Sequence, residues 1–160
     1  MKIKWLGQSG YLLWDEETAV AIDPYLSDSV NRIAGRPRVP EIPVLPWELK
    51  ADVVICTHDH ADHLDPAMRP EERMFYAPSD CLDHLRELGA VQMAAFDQGT
   101  AVTAGKFTLE AVFALHSVPA CQSIVKKSVA ARLGEAYSLN TLPETGALYQ
   151  IQFAIMKDTA

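Results

Sequence analysis

Strand-like and helix-like runs alternate along this 160-residue chain, with strand-rich stretches early and late. Such an alternation predicts a layered α/β domain. A continuous β-branched run, "DVVIC" (52–56), sits in the middle and suits a strand buried on both faces. The length fits one domain with a sizeable core, and 49% hydrophobic with 22% charged residues is ordinary for a globular chain.

Residues 2–6 and 11–14 read as two short strands joined by the turn "GQSG", and "AVAID" (19–23) as a third. Residues 24–47 hold five of the ten prolines and read as a long loop, the kind of segment that carries function. After "DVVIC", the strands "MFYA" (74–77) and "VQMAAF" (91–96) flank a helix in "SDCLDHLRELGA". That helix has Ser79 or Asp80 as its N-cap, Leu82, Leu85 and Leu88 at helical spacing, and Gly89 as its stop. "TAVTAGKFTLEAVFALH" (100–116) reads as a hairpin turning at "AGK" and ending in His116. Beyond it, "QSIVKKSVAARLGEA" has helical spacing, and "ALYQIQFAIM" alternates like a final strand.

Fourteen basic against twenty-one acidic residues give a net charge of −7. This disfavours nucleic acid and anionic membrane surfaces as partners. No run is apolar and long enough to span a membrane, and the start lacks the apolar core of a signal peptide. Three distant cysteines do not form a disulfide framework, so the expected compartment is a reducing cytoplasm.

The chemistry concentrates in "VVICTHDHADHLDP" (53–66). Three of the five histidines (His58, His60 and His63) fall within six positions, with Asp59 and Asp62 among them. In extended chain His58 and His60 point the same way as the strand frays, and Asp62 and His63 follow where the chain is expected to turn into a helix. Imidazole and carboxylate donors gathered in a small volume suit Zn²⁺ and its neighbours. The bland alternative is a His-rich surface loop. Other candidates read as structural. His84 is taken as a solvated helix residue, Cys56 as a small apolar core residue, and "KKSVAAR" as a solvated helix face. Asp59 and Asp65 read as turn caps or ligand-orienting groups. Tyr25 and Ser27 read as substrate contacts or shapers of the loop.

"THDHADH" resembles the H-x-H-x-D-H signature of the metallo-β-lactamase superfamily. "WLGQSGYLLW", "AIDPYLSDS" and "FTLEAVFALHS" are similar to the corresponding stretches of its ascorbate-6-phosphate lactonase-like branch. The resemblance covers about residues 2–120 and implies an αββα sandwich with a two-metal site at one edge. It implies that His58 and His60 hold the first ion together with His116, and that Asp62 and His63 hold the second. Asp62 would also orient the nucleophile, and Asp23 would support the ligands from behind, as a strand-end carboxylate can by accepting an imidazole N–H. A plain turn cap before Pro24 is the alternative for Asp23. Zn²⁺ is the expected ion and Mn²⁺ the alternative. The implied activity is hydrolysis of a lactone, ester or phosphodiester of a small molecule, for instance a phosphorylated sugar.

The pattern breaks after His116. No later histidine exists, and none of Glu135, Glu144 and Asp158 sits in the G-D motif expected to bridge two ions. Residues 1–120 therefore read as a first half, and 121–160 as an altered C-terminal segment of the same domain. The second function hypothesis is accordingly a catalytically inactive relative that binds one ion or none. So short a second half also predicts an uncovered apolar face, and with it a homo-oligomer or an aggregation-prone monomer.

Overall fold

The computed structural model describes residues 1–112 and the backbone of residues 155–156. The chain folds as two compact units, Met1–Ala95 and Phe96–Ala160.

The first unit is built on a six-stranded sheet in the order β1 (Lys2–Gly7), β2 (Gly10–Trp14), β3 (Ala19–Ile22), β4 (Val53–Ile55), β5 (Met74–Ala77) and β6 (Gln92–Ala95). The first three strands form an antiparallel meander, and β3 to β6 run parallel. A parallel neighbour needs a long crossover, and the 30 residues between β3 and β4 provide one. That crossover differs from the expected plain loop, because it contains α1 (Ser29–Ala34). The helix is marked by two left-handed residues, Asp28 (φ 55°) before it and Gly35 (φ 64°) after it.

The "DVVIC" strand is shorter than its apolar run but is buried as expected. Ala21 and Val54 are in register on one face and Val20, Ile22 and Ile55 lie on the other, all at 1% exposure or less. Ala21, Val54 and Phe75 share a core cluster with Leu64, Met68 and Leu85. Leu85 lies on α2 (Leu82–Glu87), which a 3-10 turn over Ser79–Cys81 introduces. Neither Ser79 nor Asp80 is the N-cap. Pro78 opens the 3-10 turn with no side-chain cap, its fixed φ suiting that position. Gly89 ends the helix at φ 95° as anticipated.

The second unit holds a three-stranded sheet of β7 (Ala101–Ala104), β8 (Phe107–Glu110) and β9 (Ile155–Met156). The hairpin at Gly105 is the expected one, and β9 belongs to the alternating C-terminal run. β8 ends at Glu110, six residues short of His116. His116, and the helix expected after it, lie outside the described residues.

Candidate metal centre

Two neighbouring parallel strands end beside each other, and their carboxyl ends place the site, as is usual in α/β sheets. Asp23 follows β3 and Thr57 to His60 follow β4. Asp23 N–H donates to Ile55 O at 2.9 Å, which extends the ladder one residue past β3. Asp23 then turns at φ 44°, a left-handed conformation that Asp tolerates better than most residues. Its carboxylate is fully buried. Gly10 makes the turn possible, since a Cβ there would sit 2.9 Å from Asp23 O.

Three donors surround the Asp23 carboxylate. Thr57 N–H donates to Oδ1 (2.8 Å), while the Thr57 hydroxyl (2.7 Å) and His63 Nδ1 (2.8 Å) reach Oδ2. Thr57 Oγ1 also lies 3.0 Å from His58 Nδ1. Thr57 carries no sequence signal beyond being a hydroxyl residue between the buried strand and the first histidine.

The stretch carrying Asp62 and His63 is not the helix anticipated. A single turn closes it, with His63 N and Leu64 N both donating to His60 O at 2.8 and 2.7 Å. Asp65 explains why the helix stops. Its buried carboxylate accepts from Leu26 N (2.7 Å), Ser27 N (2.9 Å), Ser27 Oγ (2.5 Å) and Ala67 N (3.0 Å), pulling the chain toward the β3–β4 crossover. Ser27 is thus a loop-shaping residue. So is Tyr25, whose buried hydroxyl accepts from Val30 N at 3.0 Å.

The predicted ligands come together as two pairs. His58 Nε2 and His60 Nδ1 are 3.0 Å apart, and His63 Nε2 and Asp62 Oδ2 are 3.8 Å apart. The His58 and His63 rings stack at 3.9 Å between centroids, tilted by 45°, which places the pairs side by side. His58 and His63 are buried, His60 is exposed and Asp62 is half exposed. Among the described residues, no group of three His, Cys, Asp or Glu side chains converges as a metal site. Two ligands bound to one ion at about 2.1 Å lie roughly 3.0–3.4 Å apart at octahedral to tetrahedral angles. The first pair fits that separation and the second is wider; the imidazole and carboxylate donors are of the chemical type that holds a divalent ion.

The neighbouring carboxylates favour positive charge on the His63 ring. Burial pulls its pKa down, but the charge of Asp23, its hydrogen bond to Nδ1 and the charge of Asp62 outweigh this, and the net shift is upward. Burial pushes the Cys56 thiol far up, which makes it inert as expected of a core thiol. Cys56 and Cys81 are both buried and neither is in a disulfide. His84 is not simply solvated: its Nδ1 pairs with Asp59 Oδ1, with the side chains 40% and 28% exposed. That pair joins α2 to the ligand loop.

The family model described as "Beta-lactamase superfamily domain" matches residues 18–138, three quarters of the sequence. The chain belongs to the metallo-β-lactamase superfamily. A protein from Archaeoglobus fulgidus, named a metal-dependent hydrolase, is 33% identical over 120 residues, covering 73% of this chain and 47% of that protein. A Ruegeria protein of the same name is 28% identical over 120 residues, covering 73% and 49%. The chain thus spans about half the length of the curated relatives it matches. Solved structures share the fold. The metallo hydrolase Igni18 of Ignicoccus hospitalis matches with a TM-score of 0.57 and 20% identity, covering 79% of this chain and 52% of that one. An isothiocyanate hydrolase from Delia radicum gut bacteria matches with a TM-score of 0.57 and 21% identity, covering 74% and 50%.

Proposed function

We propose that this metallo-β-lactamase chain carries the metal-binding half of a metal-dependent hydrolase, with His58, His60, Asp62 and His63 as ligands and His116 completing the first set. The observation that carries this reading is the pair of donor edges backed by Asp23 and Thr57. With His63 Nδ1–H held by Asp23, its Nε2 is left to face Asp62. Metal-binding imidazoles are held in the same way, by an acceptor on their other nitrogen. A divalent ion at such a site supplies an acidified water able to act as a nucleophile near neutral pH.

The chain's own groups supply the rest. His58 and His63 form the buried floor, so a substrate approaches from the side of exposed His60 and half-exposed Asp62. Asp62 is the group placed to orient the attacking water, by accepting its proton-bearing edge. The proposed substrates are small lactones, esters or phosphodiesters, with a phosphorylated sugar lactone favoured by the motif resemblance. Zn²⁺ is the proposed ion and Mn²⁺ the alternative. A cytoplasmic location is proposed because Cys56 and Cys81 are buried thiols outside any disulfide.

A second reading is a one-ion relative without hydrolytic activity. It is favoured by the two-by-two arrangement of donors among the described residues. Metal counting on purified chain, with turnover of chromogenic lactone, ester and phosphodiester substrates, separates the readings. Two ions per chain and chelator-sensitive turnover support the hydrolase, and one ion without turnover supports the second reading. Unchanged metal content after replacing both His58 and His60 by Ala refutes both.

A further inference from the structure

We propose that the Thr57 hydroxyl is a positioning residue that holds His58 in its Nδ1–H tautomer, and so directs His58 Nε2 toward the ligand site. The inference deepens the metal-site reading and rests on it for its consequence, but its first observable belongs to the metal-free chain.

A threonine hydroxyl has one proton to give and lone pairs to receive with. Thr57 Oγ1 lies 2.7 Å from Asp23 Oδ2, a carboxylate oxygen that can only accept. Without a proton between them, two oxygens so close would repel, so the hydroxyl proton points to Asp23. Oγ1 is then an acceptor toward His58 Nδ1 at 3.0 Å, and the proton in that contact belongs to the ring. His63 Nδ1, at 3.3 Å from the same Oγ1, has its shorter contact to Asp23 Oδ2 at 2.8 Å and donates there.

Both buried histidines thus carry their ring proton on Nδ1 and turn Nε2 to the ligand side, His58 toward His60 Nδ1 and His63 toward Asp62 Oδ2. One does so through Asp23 directly and the other through Thr57. The same residue's N–H grips Asp23 Oδ1 at 2.8 Å, so Thr57 holds the carboxylate by both oxygens. The stiff β-branched χ1 of threonine fixes the hydroxyl direction, which a serine would fix less well. All the groups involved are buried, so water cannot readily substitute for the hydroxyl.

The test uses ring ¹⁵N shifts of the whole chain after metal removal, at a pH well above the ordinary imidazole pKa of about 6.5. Zn²⁺ affinity by competition with a chromophoric chelator accompanies it. The expected result is Nδ1–H at His58 in the parent, loss of that preference in Thr57→Val, and its return in Thr57→Ser. Zn²⁺ affinity should fall by about 10- to 100-fold in the valine variant and recover partly with serine. Nε2–H at His58 in the parent overturns the proposal even if the valine variant fails to fold. So does a valine variant with unchanged tautomer and affinity, or a serine variant as weak as valine. If the parent binds no Zn²⁺, the metal-site reading falls while the tautomer result still decides the role of Thr57.

Discussion

Residues Asp23 and His63 form the most informative pair in the molecule, because their 2.8 Å contact ties folding to protonation. The folded-state pKa of His63 lies above its unfolded value. The pair's contribution is therefore fully present below the ordinary imidazole pKa of about 6.5 and is lost as pH rises through the raised folded value. Urea midpoints of the metal-free chain measured across that range should show this slope, and Asp23→Asn should flatten it. An unchanged slope in the variant would assign the pH dependence to other groups. With Nδ1–H committed to Asp23, the titrating proton enters at Nε2, the edge assigned to the ion. Metal affinity should accordingly start to weaken, as pH falls, earlier than at an unperturbed histidine. At the neighbouring acids, Asp62→Ala should remove ligation and any turnover. Asp59→Ala should leave metal content intact, because the Asp59 carboxylate is engaged by His84.

At the level of elements, the strands were legible and the connections were not. β4 and β5 announce themselves as apolar β-rich runs, and their ends fall close to the expected limits. The ligand histidines were legible for a related reason: they follow the buried strand directly, so local spacing carries the information. α1 escaped notice because prolines dominate its surroundings, and its boundaries rest on two left-handed residues rather than on an apolar stripe. The Asp59–His84 and Asp65–Ser27 contacts span 25 and 38 residues. No local pattern encodes such contacts, which arise only once the sheet order is set. This ordering makes the meander a lever on the site. Gly10→Ala would push a methyl group against Asp23 O at 2.9 Å, Gly7 O at 3.2 Å and Leu6 Cβ at 3.3 Å. Backbone cannot yield as a flexible side chain can, so a loss of about 1–3 kcal/mol is expected, together with weaker metal binding through the displaced carboxylate. Chemical denaturation and chelator competition on one preparation check both, and a stability loss without any change in metal affinity would uncouple Gly10 from the site.

At the scale of the whole molecule, the short second half predicts an uncovered apolar face. In the first unit Leu13, Val20, Ile22 and Ile55 are all at 1% exposure or less. Exposed apolar area lies instead on β1, where Ile3 is 48% and Trp5 54% exposed, and on the crossover, where Val39 is 94% and Trp47 59% exposed. β1 matters more, because among the described residues it pairs only with β2 and so presents a free edge. A free edge beside exposed apolar side chains invites pairing with another chain, and lysines on the edge oppose it. β1 carries both devices in alternation, with Lys2 and Lys4 on one face and Ile3 and Trp5 on the other. We propose that self-association of this chain is set by that balance. Replacing Ile3 and Trp5 together by Thr keeps the strand propensity and removes the apolar stripe, so the light-scattering mass should fall toward that of one chain. Replacing Lys2 and Lys4 together by Thr removes the gatekeeping charge, so association should begin at a lower protein concentration. Shifts in opposite directions are the expected result, with far-UV circular dichroism confirming that both variants fold. If neither pair of changes moves the concentration dependence, β1 is not the surface through which chains meet.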